Sequence, residues 1–203
     1  SKFTVKMPRT KKAITTSTPG AGRSAIASRS STTSSTPAVI GSMAPAFSVG
    51  DTFIIQIKPH KNGEIFLSKL AVNEYPVFFE YPFNGFTTPK LSSNPSYPQR
   101  DPDPVINLVV YGAKNEQLIA LKRYNLNTVY YFTKSEIRIT CSPIVEFVPE
   151  YSVMIMRRLI NPSDVDYDVT IHTPMSPEFQ SWVDKCRNRM PGGGKVPRAY
   201  GWE

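Results

Sequence analysis

Residues 105–141 read VINLVVYGAKNEQLIALKRYNLNTVYYFTKSEIRITC, and they decide the fold class. Val105 to Tyr111 is a continuous apolar run, which predicts a central strand buried on both faces. Gly112 to Asn115 turns the chain, and Gln117 to Tyr124 predicts the next strand. Val129 to Thr133 and Ser135 to Cys141 alternate. In the second, Ile137, Ile139 and Cys141 face one way, while Glu136, Arg138 and Thr140 face the other. Strand follows strand, so the class is all-β.

The flanks extend the pattern. Asp51 to Pro59 predicts a first strand, rich in Ile and Phe and closed by a proline. Asn62-Gly63 is a hairpin signal, because both residues tolerate positive φ. Glu64 to Val72 fits either a strand or a short helix. Tyr75 to Phe83 is β-prone, but its two prolines place it at a sheet edge or break it. Asn84 to Pro104 carries five prolines and predicts a long surface loop of the kind that contacts a partner. Downstream, Ser152 to Ile160 and Asp166 to Thr173 predict two more strands, about eight in all. One helix is expected from Ser176 to Met190. Ser176 would be its N-cap, with Pro177 at the first position and Phe179, Trp182, Val183 and Cys186 forming an apolar stripe. Tyr200 and Trp202 in the last few residues point to a tail that docks, with a neighbouring subunit as the expected surface.

The charge is strongly segregated. The first 49 residues hold Lys2, Lys6, Arg9, Lys11, Lys12, Arg23 and Arg29 and no acidic residue, whereas the remainder holds 17 basic and 16 acidic residues. Eighteen of the first 50 residues are Ser or Thr. Such a segment buries too little apolar surface to offset its conformational entropy, so residues 1–48 are expected to be a disordered cationic arm that holds a polyanion. The alternatives are a solubilising tail and an organelle transit peptide. No apolar run of about 7–15 residues follows the charged start, so a secretory signal is not expected. No stretch approaches the roughly 18 apolar residues of a membrane-spanning helix.

Catalytic constellations are missing from the sequence. Two histidines, His60 and His172, are present. A Ser-His-Asp reading would recruit His172 with Asp166 or Asp168 and has no nucleophile elbow. Gly192-Gly193-Gly194-Lys195 lacks the strand and helix that make a phosphate loop. Cys141 and Cys186 have neither zinc-site nor redox spacing. Asp101, Asp103, Asp164, Asp166 and Asp168 are oxygen donors suited to Ca²⁺, most plausibly between subunits, but no calcium-loop spacing is present and a solvated acidic edge is the weightier reading. No enzyme and no cofactor are expected.

A basic Ser/Thr-rich arm ahead of about eight strands in some 150 residues resembles the coat proteins of small icosahedral positive-strand RNA viruses, especially those of plants. The resemblance is architectural and rests on no motif. It implies an eight-stranded antiparallel jelly-roll sandwich over residues 49–175. It also implies an arm facing packaged single-stranded RNA, and residues 176–203, a short helix and tail, in subunit contacts. Pro95, Tyr97, Pro98, Trp182, Tyr200 and Trp202 are the contact residues this implies. The partners would be further copies of the chain and genomic RNA, with no membrane and no small-molecule substrate. The place of action would be the virion, assembled in the host cytoplasm. The competing expectation is a cellular or organellar β-sandwich RNA-binding protein, which would present stacking aromatics on an open sheet face.

Overall fold

A computed structural model describes residues 51–86, 96–159, 164–190 and 196–203. The expectations for the arm, for Pro95 and for the glycine run at 192–194 lie outside the described residues. Everything described belongs to one unit, residues 44–203.

Twelve strands are found among the described residues: β1 (Thr52–Ile57), β2 (Glu64–Ser68), β3 (Gly85–Phe86), β4 (Pro98–Gln99), β5 (Val105–Tyr111), β6 (Gln117–Asn125), β7 (Asn127–Tyr131), β8 (Glu136–Thr140), β9 (Ser152–Arg158), β10 (Tyr167–His172), β11 (Asn188–Arg189) and β12 (Ala199–Trp202). The extra strands are short. β3, β4 and β11 have two residues each, too few to show any periodicity in sequence. One sheet runs β11-β12-β1-β9-β10-β5-β6, and the other β2-β8-β7-β4-β3.

The core lies between the two sheets, and side-chain parity explains which residues enter it. From the first sheet, Phe53, Ile55 and Ile57 of β1, Met154 and Met156 of β9, and Ile106, Leu108 and Val110 of β5 point inward. Ile65 and Leu67 of β2 meet them from the second sheet, with Ile137 and Ile139 of β8. The alternation expected for β8 and β10 is present: Ile137, Ile139, Tyr167, Val169 and Ile171 are buried.

Several expectations are corrected. β5 is buried on one face only, with Ile106, Leu108 and Val110 in the core and the intervening residues half-buried. It lies next to the edge strand β6 rather than at the centre. Its other neighbour, β10, is parallel to it, so the first sheet is not purely antiparallel. Asn62-Gly63 does not make a hairpin, because β1 and β2 belong to different sheets and the turn is the corner between them. Gly63 has φ +84°, and a Cβ there would come within 2.5 Å of the Ser142 backbone. Positive φ and close approach thus both call for glycine. Glu64 to Val72 is strand and then helix: α1 (Lys69–Glu74) begins where Ser68 Oγ accepts from Leu70 N–H. Tyr75 to Phe83 forms a 3₁₀ turn at Pro76–Phe79 that delivers Phe78 and Phe79 to the core.

The expected helix Ser176–Met190 is only α2 (Phe179–Val183). Its apolar stripe is real and covers the outer face of the first sheet, packing on Ile54, Val153 and Ile155. The helix stops because the chain tightens, with Lys185 and Cys186 N–H donating to Trp182 and Val183 carbonyls, and then enters β11. Residues 196–203 dock, but on the chain's own body. β12 pairs with β1 over Phe53↔Trp202 and Ile55↔Tyr200. Tyr200 is buried, and the Trp202 ring lies 4.5 Å from Phe53, 4.8 Å from Tyr75 and 5.1 Å from Phe78.

Candidate nucleic-acid interface

A cleft of about 880 Å³ lies beside the edge strand β2. Separated parts of the chain build it, among them the β8–β9 connection with Glu150. The end of β1 and its corner bring Lys58, His60 and Lys61, and β2 and the start of α1 bring Phe66 and Lys69. The β7–β8 turn brings Lys134 and Ser135, and the ends of β11 and β12 bring Met190 and Arg198. Five basic side chains thus face two carboxylates, Glu136 and Glu150. Both carboxylates are engaged: Glu150 pairs with Lys58 at 2.8 Å and Glu136 with Arg138 at 2.6 Å. A nearly neutral body therefore concentrates positive charge in one place.

Arg198 is the unusual member. Its Nη1 is shut off from solvent and has no hydrogen-bond partner among the described residues. Burial pulls its pKa down from the ordinary value, and Tyr151 and Glu136 only partly oppose this. A buried guanidinium donor without an acceptor bears an uncompensated desolvation cost. Lys69 sits over the rings of Tyr130 and Tyr81, at 5.1 and 5.8 Å. Phe66 lines the cleft wall and is backed by the Arg138 guanidinium at 4.6 Å.

A second, smaller concavity centres on His172 under α2. Its imidazole stacks between Tyr111 and Trp182, with centroids at 5.4 and 6.4 Å. Nδ1 is 2.8 Å from Ser176 Oγ, and Nε2 is 3.8 Å from Glu178. A Ser-His-Asp reading would have needed Asp166 or Asp168 beside His172; its neighbours are Ser176 and Glu178 instead. Ser176 is 5% exposed, and its hydroxyl donates to Asn115 Oδ1 at 3.3 Å, an arrangement that locks a strand end rather than presenting a nucleophile. Burial lowers the His172 pKa, against a smaller opposing pull from Glu178. The unfolded chain therefore takes up a proton that the fold refuses. The stability contributed is present above about pH 6.5, the ordinary histidine value, and is lost as pH falls below it. Thermal denaturation should show the wild type losing stability between pH 7 and 5, and His172→Gln should flatten that dependence. Equal pH dependence in both proteins would refute the assignment.

The five aspartates do not gather. Asp166 accepts from the Val105 N–H at 2.7 Å and pairs with buried Arg100 at 3.2 Å. Arg100 also reaches Glu80 at 2.9 Å and donates to the Tyr167 hydroxyl. Asp164 pairs with Arg123 at 2.7 Å, Asp168 accepts from Asn107 at 3.2 Å, Asp103 accepts from Asn127 at 3.5 Å, and Asp101 is exposed. Among the described residues no three His, Cys, Asp or Glu side chains form a metal-holding group. Both cysteines are free and buried, and burial pushes their thiols up to about 11 for Cys141 and about 12 for Cys186.

Of the expected contact residues, the Tyr97 ring lies tilted against Tyr131 at 4.4 Å and Phe132 at 5.2 Å, beside Pro98 in β4. Phe86, paired with Pro98 across β3 and β4, is 67% exposed, and Phe132 is 46% exposed. Trp182 is half-buried over the first sheet, with Lys185 4.1 Å from its ring centre. Tyr200 and Trp202 serve the chain's own core. Sequence reasoning missed the Arg198 cleft. Its cations are spread over 58–69, at 134 and at 198, and only the topology joins them. No protein-family model matches this chain, and no curated protein matches it in sequence.

Proposed function

We propose that this is a viral coat protein that self-assembles into a closed icosahedral shell and packages single-stranded RNA with its N-terminal arm. The observation that carries the reading is the charge segregation: seven cations and no carboxylate in the first 49 residues, ahead of a β-sandwich body with 17 basic and 16 acidic residues. Arm cations neutralise phosphates without regard to sequence, which suits a whole genome. A nearly neutral body lets many copies pack without strong mutual repulsion. The fold supports a jelly-roll derivative. The first two strands each pair with a late one, β1 with β9 and β2 with β8, so the chain folds back on itself in both sheets. The parallel β5–β10 pair is not part of an antiparallel jelly roll. The exposed Phe86 and Phe132, with half-buried Tyr97 and Pro98 beside them, form the contact surface the reading favours, and its role is assembly rather than catalysis.

Electron microscopy and light scattering of the purified chain, with and without RNA, across pH and salt, test this directly. Closed many-subunit particles are the expected result. A monomer or dimer under every condition would overturn the coat-protein reading and favour a cellular or organellar RNA-binding β-sandwich.

A further inference from the structure

We propose that the cleft beside β2 is a second RNA contact, in the body itself, holding an internucleotide phosphate at Arg198 with Lys61 and Lys134 at its rim. The proposal rests on the RNA-packaging reading and gives it a defined site outside the arm. Three observations converge. The Arg198 guanidinium lines the cleft, and its Nη1 lacks an acceptor among the described residues. A phosphate supplies oxygens matched to a guanidinium. The rim is cationic from several sides: Lys61 comes from the β1–β2 corner, Lys69 from α1 and Lys134 from the β7–β8 turn, while the two carboxylates present are already paired. One free anion or one peptide carboxylate would satisfy Arg198 and leave the rim uncompensated. A strand with a charge at every nucleotide answers both. Finally, the wall carries an aromatic ring, Phe66, with the imidazole of His60 6.5 Å away. Sequence-tolerant binding of single strands uses this combination, a charged groove for the backbone and a ring for base stacking.

The test uses the full chain and a fluorescent single-stranded oligouridine, with affinity measured across salt. Lys61 and Lys134 are exposed, so the double variant K61Q/K134Q leaves the core intact. Two lost phosphate contacts should make the log K against log salt slope shallower by about 1.4, at about 0.7 each, and weaken binding about 25-fold at 0.1 M salt. The same change is expected when the arm lysines and Arg9 are already replaced by glutamine. Arg198→Gln should weaken binding as well. Because it lies near the core, the rim variant keeps the proposal testable if that protein fails to fold. Photo-crosslinking with 4-thiouridine RNA should mark the Phe66 peptide. An unchanged slope in K61Q/K134Q in both backgrounds, with no crosslink to that peptide, would overturn the proposal and leave the arm reading standing. So would protection of the cleft by inorganic phosphate or an acidic peptide but not by RNA. If instead the arm variant keeps full affinity and slope while K61Q/K134Q loses both, the arm reading fails and the cleft survives.

Discussion

Deleting residues 196–203 should unfold the body, and Trp202→Ala alone should cost about 3 kcal/mol, the lower end of the range for truncating a large aromatic. Four of the eight terminal residues that looked like a docking tail, Ala199–Trp202, are a strand of the first sheet. Thr52 and Glu203 exchange backbone hydrogen bonds at 2.9 and 3.0 Å, and Tyr200 donates to Glu74 at 2.5 Å. The Trp202 ring completes an aromatic cluster with Phe53, Phe78 and Tyr75, so its loss opens a cavity in the main core. Gly201 leaves no alternative register. A Cβ there would come within 2.3 Å of the Lys185 carbonyl oxygen, and the β12 backbone therefore passes directly under the turn after α2. A domain with about 5–15 kcal/mol in total does not survive losing this strand. Thermal denaturation followed by circular dichroism checks it: Trp202→Ala should melt roughly 6–12 °C lower, at about 2–4 °C per kcal/mol. A truncated protein with the wild-type midpoint would show that β12 contributes nothing to the fold, and any assembly defect would then be an interface effect.

What could be read from the sequence follows from what a local pattern reports. Ile137, Ile139 and Cys141 alternate because one side of β8 faces the core, and that side is recorded residue by residue. The stripe of Phe179, Trp182, Val183 and Cys186 was legible for the same reason. Its helical length was not, because the pull of β11 into pairing with β12 comes from residues farther along the chain. Asn62-Gly63 announces positive φ, and Gly63 has it; whether the next strand pairs back or crosses to another sheet is a global choice that two residues do not encode. The parallel contact of β5 with β10 joins segments some sixty residues apart. The cleft was hidden in the same way. Lys61 and Lys134 look like ordinary solvated charges until the topology sets them around Arg198.

Replacing Lys2, Lys6, Arg9, Lys11 and Lys12 together with glutamine should weaken RNA binding by roughly three orders of magnitude at 0.1 M salt. Single-stranded nucleic acid releases about 0.7 counterions per neutralised phosphate, so seven arm cations contribute about −5 to the slope of log K against log salt. The variant keeps Arg23 and Arg29 and should retain about −1.4 of that share. The arm and the cleft therefore separate cleanly in one titration, since each has its own increment and the variants combine without touching the core. Melting temperature serves as the control, because none of the five positions lies among the described residues of the β-sandwich. Binding is entropic in origin here, through released ions, and should be nearly indifferent to base sequence: oligouridine and oligoadenine should lose the same increment when the arm is neutralised. Full affinity with an unchanged slope in the quintuple variant would remove the arm from RNA binding and, with it, the observation on which the coat-protein reading stands.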